Sequence, residues 1–173
     1  MNETINTEIN RWILVPVSEI HVKEIFEHFN ERIITYMAPQ VPKNIDETYE
    51  IVKRFINSRE NNTDYIYAIT LKSNDEFIGI VALHNLNDEM PELGIWTKVC
   101  SHGNHYGREA IGGIIDYAKT LGIKKICYPV DKRNIPSKKI ALFYNGKLVT
   151  ECKKVQTFDG RILQEEIYEI IIS

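Results

Sequence analysis

The feature that most constrains the fold is a strand–helix–strand pattern in the second half of the chain. Residues 92–97, Glu-Leu-Gly-Ile-Trp-Thr, have the composition of a strand, and residues 126–130 form a short apolar run typical of a second, buried strand. Between them, apolar residues recur every three or four positions, as on one helix face: Ala110, Ile111, Ile114, Ile115, Ala118 and Leu121. Strands joined through a helix run parallel with a right-handed crossover, so this unit predicts a local parallel pair.

The remainder of the chain predicts strands joined by short turns. Further strands are expected at 12–17, 65–71, 77–83, 147–155 and 162–172, mostly as antiparallel hairpins. Helices are expected after Ser18, after Asn44 with Glu47 completing a capping box, and at residues 137–144. The predicted fold class is α/β (α+β), with a single mixed, mostly antiparallel twisted sheet of about seven strands and helices on both faces. One domain is expected over residues 1–173.

Length and composition exclude several classes of protein. A chain of 173 residues, 43% of them hydrophobic, buries a sufficient core without a metal or disulfide. Its three cysteines form no CxxC pair, so no metal site is predicted, and Cys127 and Cys152 are interpreted as buried, inert thiols. No apolar run approaches the roughly 18 residues of a membrane span, and the polar N-terminus does not resemble a signal peptide. A cytoplasmic protein that binds no membrane is expected.

Charge is distributed unevenly along the chain. The net charge of −3 argues against general nucleic-acid binding. Residues 1–90 contain 8 basic and 15 acidic residues, whereas residues 91–173 contain 13 basic and 9 acidic residues. A local basic field of this size suits a small polyanion, although a solvated surface accounts for it equally well.

The loop before the long helix is the strongest candidate for a binding site. It reads Ser-His-Gly-Asn-His-Tyr-Gly-Arg at residues 101–108. Small residues that lead into a helix expose backbone N–H groups at the positive end of the helix dipole, where anions bind, although an ordinary helix cap has the same composition. His102 and Arg108 are placed to add charge. The loop has neither the Gly-Lys-[Ser/Thr] of a P-loop nor the GxGxxG of a dinucleotide fold.

Two blocks of sequence resemble the GNAT acetyltransferase superfamily, in particular its RimJ/RimL-type N-terminal acetyltransferases. The first is ELGIWT…GNHYGREA, and the second is Asn134-Ile135-Pro136-Ser137 followed by Ala141, Asn145 and Gly146. The resemblance implies the acyl-CoA N-acyltransferase fold and direct transfer of an acetyl group from acetyl-CoA to a primary amine in a ternary complex. A protein N-terminus or a small amine is the implied acceptor, and a monomer or homodimer the expected form. A non-catalytic acyl-CoA-binding or sensing module is the alternative.

The resemblance also implies which residues bind the cofactor. The pyrophosphate is expected on the loop, and backbone groups of the preceding strand are expected to hold the pantetheine arm together with Asn134. The implied cofactor-binding residues are Ile95, Trp96, Thr97, His102, Gly103, Asn104, His105, Tyr106, Gly107, Arg108, Asn134 and Ser137. His102 occupies a position where the family has glutamine or arginine, and His105 one where glycine is usual.

Two catalytic residues are expected. Ser137 is the candidate for protonating the leaving thiolate, with capping of its helix as the alternative role. Glu92 is the candidate for the base on the amine side, with a strand-edge carboxylate bonded to neighbouring backbone as the alternative. His84 is the second candidate base. Tyr36 and Trp96 are expected to line the acceptor pocket or to belong to the core.

Overall fold

In a computed structural model that describes residues 4–6 and 10–172, seven strands form one sheet. The strands are β1 (Trp12–Pro16), β2 (Tyr65–Leu71), β3 (Phe77–His84), β4 (Glu92–Thr97), β5 (Lys125–Asp131), β6 (Lys147–Gln156) and β7 (Ile162–Ile171). Their order in the sheet is β1-β2-β3-β4-β5-β7-β6. Only β4 and β5 pair in parallel; every other pair of these strands is antiparallel. The predicted fold class is therefore confirmed.

Helices pack on both faces of this sheet. They are α1 (Val22–His28), α2 (Glu31–Ile34), α3 (Ile45–Glu60), α4 (Tyr106–Thr120) and α5 (Ile135–Phe143). Helix α4 contributes Ile111 and Ile114 to one apolar cluster, while α1 and α3 contribute Ile25 and Val52 to a second cluster. None of the helices in the described residues is long and apolar enough to cross a membrane.

Close contacts explain the two adjacent glycines in α4. A Cβ atom on Gly113 would lie 2.3 Å from Cη2 of Trp12, and one on Gly112 would lie 2.4 Å from the hydroxyl of Tyr144. That hydroxyl donates a hydrogen bond to the carbonyl of Arg108 at 2.7 Å. Helix α4 is thus seated against Trp12 of β1 on one side and Tyr144, just beyond α5, on the other.

Several local predictions differ from the structure, among them the capping box of α3, since the Glu47 carboxylate accepts the N–H of Lys43 rather than that of Asn44. Helix α2 was not predicted, because four residues are too few for a helical period to show. Helix α5 begins two residues earlier than predicted, since Asn134 is its N-cap and accepts the N–H of Ser137 at 3.3 Å. Cys152 is exposed rather than buried, because β6 lies at one edge of the sheet and nearly all of its side chains are exposed. Cys127 is half-buried, and this burial raises the pKa of its thiol to about 11.

The sheet opens between its two parallel strands. Glu92 and Cys127 are the one register pair that joins β4 to β5 in the described residues, next to a hydrogen bond from the N–H of Cys127 to the carbonyl of Pro91 at 2.9 Å. Beyond this pair the strands diverge. The opening leaves one edge of β4 without a neighbouring strand.

Candidate active site

A groove of about 1060 Å³ lies where β4 and β5 separate. It is lined by α2 and the segment after it, by the end of β3, by β4 and β5, by the loop before α4, by α5 and by the start of β7. The sequence-predicted residues that line it are Glu92, Ile95, Trp96, Thr97, His102, Gly103, His105, Tyr106, Gly107, Arg108, Asn134 and Ser137. Asn104 is not among the lining residues. Its side chain donates instead to the carbonyl of Ser101 at 3.1 Å, within the loop.

The loop before α4 turns through two left-handed residues. Gly103 has φ +82° and His105 has φ +64°, and α4 begins at the next residue, Tyr106. A left-handed conformation is costly for any residue with a Cβ atom, which gives a physical reason for glycine at the position of His105. His105 makes no side-chain cap to the helix.

This loop presents a row of unpaired donors. In the part of the chain that the structure describes, no protein acceptor receives the backbone N–H groups of residues 103–108. They stand at the N-terminus of a 15-residue helix, where the helix dipole adds positive potential. Such an arrangement binds a phosphate or pyrophosphate.

Two side chains fix the position of this loop. The Nε2 atom of His102 lies 3.0 Å from the carbonyl oxygen of Thr97, which ties the loop to the end of β4. Arg11 donates to the carbonyl of Asn104 and forms an ion pair with Glu109 at 2.7 Å. Its guanidinium also lies 4.3 Å from the ring centre of Tyr106. Sequence reasoning missed Arg11, which precedes the loop by more than 90 residues.

The free edge of β4 exposes main-chain groups at alternate residues. The N–H of Lys98 donates to the carbonyl of Ile78 at 2.7 Å, and in an antiparallel ladder every second residue pairs with the same neighbour. Trp96 therefore pairs with β3, whereas Ile95 and Thr97 direct their backbone groups into the gap. The Trp96 ring packs 5.1 Å from that of Phe29, so it contributes to the core as well as to the groove wall.

On the α5 side of the groove, Ser137 is paired with a buried tyrosine. Its Oγ lies 2.9 Å from the hydroxyl of Tyr128, which is 1% exposed. Burial raises the pKa of Tyr128 to about 12, partly offset by the hydrogen bond with Ser137. The hypothesis that Ser137 caps its helix is wrong, because Asn134 is the cap. Sequence reasoning missed Tyr128, although the alternation of Ile126, Tyr128 and Val130 along β5 predicts an inward-facing ring.

On the opposite side, Glu92 begins β4 with a half-buried carboxyl group. Burial raises its pKa, an effect that nearby His84 opposes. No hydrogen bond reaches this carboxylate from the residues described, so the alternative of a carboxylate bonded to neighbouring backbone finds no support. His84 pairs with Glu92 across β3 and β4, and its Nδ1 lies 3.0 Å from Oδ1 of Asp64. Asp64 was missed because it lies 20 residues before its partner.

The remaining wall of the groove is the irregular segment after α2. Tyr36, Met37 and Pro39 line the groove. Arg161, in the turn between β6 and β7, donates to the carbonyls of Met37 and Pro39, each at 3.0 Å. This wall is therefore held by main-chain contacts with a distant turn. Among the residues described, no group of three or more His, Cys, Asp or Glu side chains is arranged to hold a metal ion.

Comparison with known proteins adds independent information. The family profile described as "Acetyltransferase (GNAT) domain" matches residues 11–142. The ribosomal L7/L12 alpha-N-protein acetyltransferase RimL, solved with coenzyme A, superposes with a TM-score of 0.87 at 17% identity, covering 98% of each chain. The microcin C7 self-immunity acetyltransferase MccE, solved with acetyl-CoA and AMP, superposes with a TM-score of 0.83 at 20% identity, covering 97% of this chain and 94% of that one.

One curated relative is similar to about half of this chain, over a small part of its own length. The uncharacterised protein MJ1062 of Methanocaldococcus jannaschii is 31% identical over 84 residues, which is 48% of this chain. The matched region spans 17% of the length of that relative. The two superpositions, at identities of 17% and 20%, show the fold, and the family profile covers both the loop before α4 and most of α5.

Proposed function

The chain belongs to the GNAT acetyltransferase family, which transfers acetyl groups from acetyl-CoA to amines, and from this premise we propose how its groove performs that reaction. The loop at residues 102–108 binds the pyrophosphate of acetyl-CoA, and the gap between β4 and β5 receives the pantetheine arm. The observation that carries this proposal is the row of unpaired N–H groups at residues 103–108. Several aligned donors suit a diphosphate better than a single carboxylate.

The pantetheine arm contains amide groups, and the free edge of β4 offers backbone groups that can form hydrogen bonds with them. Ile95 and Thr97 direct main-chain groups into the gap, so an extended amide chain pairs with them as an added strand would. The carbonyl of Thr97 is already engaged by His102, which leaves Ile95 as the main pairing residue. An N–H group on this edge polarises the thioester carbonyl and stabilises the oxyanion that forms during attack.

Ser137 and Tyr128 act on the leaving group in this proposal. When the amine nitrogen attacks the thioester carbon, the carbon–sulfur bond breaks and the sulfur requires a proton. Ser137 supplies that proton from its hydroxyl, and the hydroxyl of Tyr128, 2.9 Å away, supports the charge that develops on Oγ. The high pKa of Tyr128 keeps it protonated, and therefore a donor, at neutral pH.

Glu92 acts on the amine in this proposal. Its carboxylate receives the proton that the nitrogen releases as the amide forms, directly or through water. Burial raises its pKa toward neutrality, which makes it a better proton acceptor than a fully solvated carboxylate. The carboxylate lies at the first residue of β4, so the base and the thioester-binding edge belong to one rigid strand.

The acceptor is proposed to be a primary amine, either a protein N-terminus or a small molecule. RimL is a ribosomal L7/L12 alpha-N-protein acetyltransferase and MccE a microcin C7 self-immunity acetyltransferase, so acetyltransferases of this fold serve different roles. Tyr36 and Met37 provide an apolar wall against which either acceptor packs. The proposal keeps the cytoplasm as the site of action and either a monomer or a homodimer as the active form.

The test is to titrate acetyl-CoA by calorimetry and then to measure thiol release over a panel of peptides and small amines. We expect saturable binding and thiol release with at least one acceptor. Binding without thiol release on any amine would instead indicate the non-catalytic acyl-CoA sensor. If no binding is detected at millimolar acetyl-CoA, the proposal that residues 102–108 bind its pyrophosphate is wrong.

A further inference from the structure

The imidazole of His84 is held through one of its nitrogens by an anchored carboxylate. Asp64, in the turn before β2, places Oδ1 at 3.0 Å from Nδ1 of His84. The same carboxylate accepts the N–H of Asn85 and the hydroxyl of Thr63, each at 3.1 Å. Burial alone would raise the pKa of Asp64, but these three hydrogen bonds outweigh it and hold the pKa below its usual value. Asp64 is therefore ionised at neutral pH.

This contact determines which nitrogen of His84 is free. An ionised carboxylate only accepts hydrogen bonds, so Nδ1 must carry a hydrogen and the neutral ring keeps its lone pair on Nε2. Nε2 lies over β4 at Gly94, where a Cβ atom would stand only 3.2 Å away. Both His84 and Gly94 line the groove. No protein partner is bonded to Nε2 within the described residues.

The acceptor must lose a proton before it can attack. A peptide α-amine has a pKa of about 8 and a lysine side chain about 10.4, so most of the acceptor arrives as ammonium at neutral pH. Glu92 accounts for the proton released as the amide forms. A second proton acceptor near Glu92 would allow the ammonium form of the acceptor to react as well. His84 is the cross-strand partner of Glu92 on that side.

We propose that His84 is a further catalytic residue, which deprotonates the incoming ammonium through Nε2, and that Asp64 is its positioning residue. This inference rests on the proposed function. An N–H bond of the ammonium breaks, an Nε2–H bond forms, and the electron pair stays on the amine nitrogen. The imidazolium is flanked by the charges of Asp64 and Glu92, with Glu165 of β7 beyond Glu92. The side chain is 34% exposed, so its proton passes to solvent.

The test is the pH dependence of kcat/KM for His84→Gln, measured by thiol release with the best acceptor of the amine panel. At pH values below the pKa of the acceptor amine, we expect kcat/KM to fall by about 10²-fold, because a general base typically contributes this much. Above it, the amine arrives neutral and the loss should shrink to within about 3-fold. The Kd for acetyl-CoA, measured by calorimetry, should stay within about 2-fold of the wild-type value.

Asp64→Asn separates positioning from folding. The amide keeps an oxygen for Nδ1 and Asn85 but removes the charge that stabilises the imidazolium. We expect a loss of about 10-fold with the same pH profile, intermediate between wild type and His84→Gln. Asp88→Asn is the matched control, because Asp88 is exposed in the following turn and should leave the profile unchanged.

Two results would overturn the inference while leaving the proposed function intact. One is a loss in His84→Gln that stays constant across pH, as a structural defect would give. The other is wild-type kcat/KM in His84→Gln below the pKa of the amine. If the wild-type protein itself releases no thiol with any amine, the proposed function fails before His84 is tested. Failure of the proposed function and failure of the His84 inference are therefore distinguishable.

Discussion

At the scale of single residues, His105 adopts a conformation that glycine adopts at no steric cost. Its φ of +64° places the Cβ atom in the crowded left-handed region, while Gly103, two residues earlier, has φ +82° and open space around it. The two positions therefore have the same left-handed backbone conformation, but one is a glycine and the other a histidine. The loop keeps its shape at His105 because Arg11 and His102 hold its neighbours.

A reciprocal pair of substitutions tests this interpretation. His105→Gly should leave acetyl-CoA affinity unchanged or tighten it, because the backbone N–H donors of the loop remain and a side chain that crowds the pyrophosphate site is removed. Gly103→Ala should lower the free energy of unfolding by about 1 kcal/mol, because a Cβ atom in the left-handed conformation crowds its own backbone although the space around Gly103 is open. Urea denaturation and calorimetry measure the two effects. A marked loss of affinity in His105→Gly would mean that the imidazole itself contacts the cofactor.

Ser137 and Tyr128 share one hydrogen bond, so their contributions to catalysis should not be additive. Ser137→Ala is expected to lower kcat by about 10²-fold, as loss of a general acid does, with little change in the Kd for coenzyme A. Tyr128→Phe should lower kcat by about 10-fold and have little further effect in the Ser137→Ala background. Single-turnover thiol release compares the four proteins. Equal losses of kcat and affinity in Ser137→Ala would assign the serine a structural role.

At the scale of elements, Asp131 connects the end of β5 with β7 and with the turn before α5. Its carboxylate accepts hydrogen bonds from Arg133 and from the N–H of Gln164 at 2.8 Å. Burial alone would raise its pKa, but these bonds outweigh it and lower the pKa of Asp131 to about 2. Asn134 and Ser137 follow within six residues, so this carboxylate helps to place the catalytic side of the groove.

The lowered pKa gives a stability prediction with a definite sign. Because the pKa of Asp131 is lower in the folded chain than its ordinary value of 3.8, the stabilisation is complete above that value and is lost as pH falls toward 2. Asp131→Asn should therefore have a free energy of unfolding roughly 2 kcal/mol lower than wild type near pH 6. This difference should narrow below pH 4. Urea denaturation at several pH values measures it. Asp116→Asn, an exposed change in α4, should show no such dependence.

At the scale of the whole molecule, the sheet consists of two parts joined by little direct pairing. Within residues 10–172, strands β1 to β4 and strands β5 to β7 meet through the single register pair Glu92 and Cys127. Helix α4 and the buried cluster beneath it supply further connection, and Arg161 of the β6–β7 turn donates to the carbonyls of Met37 and Pro39. A ligand that occupies the gap contacts both parts, so it should stabilise the folded protein as a whole.

We expect acetyl-CoA to raise the midpoint of thermal unfolding in a concentration-dependent way. At 100 times its Kd, a ligand that binds only the folded state stabilises it by about 2.7 kcal/mol. Arg11→Ala should require more acetyl-CoA for the same shift, because it releases the carbonyl of Asn104 and the ion pair with Glu109. Differential scanning calorimetry measures both. An unchanged midpoint at saturating acetyl-CoA would contradict occupation of the gap.

The sequence by itself determined the seven strands, helices α1, α3, α4 and α5, their order and the loop that precedes α4. These depend on local periodicity and turn chemistry, which act over a few residues and can be read from neighbours in the chain. Glu92, Ser137 and most of the loop, which the sequence predicts as site residues, all line the groove, and each lies within a recognisable local block. Helix α5 shows the limit of that information, since the capping role considered for Ser137 belongs to Asn134.

Only the tertiary structure decided which side chains meet. Asp64 contacts His84, which lies 20 residues later in the chain. Tyr128 of β5 contacts Ser137 of α5, and Arg11 contacts Asn104 at a separation of 93 residues. These contacts depend on strand order, register and the divergence of β4 from β5, which arise from packing among distant segments. A local pattern fixes the direction of a side chain relative to its own element, but its partner is fixed only when the sheet assembles.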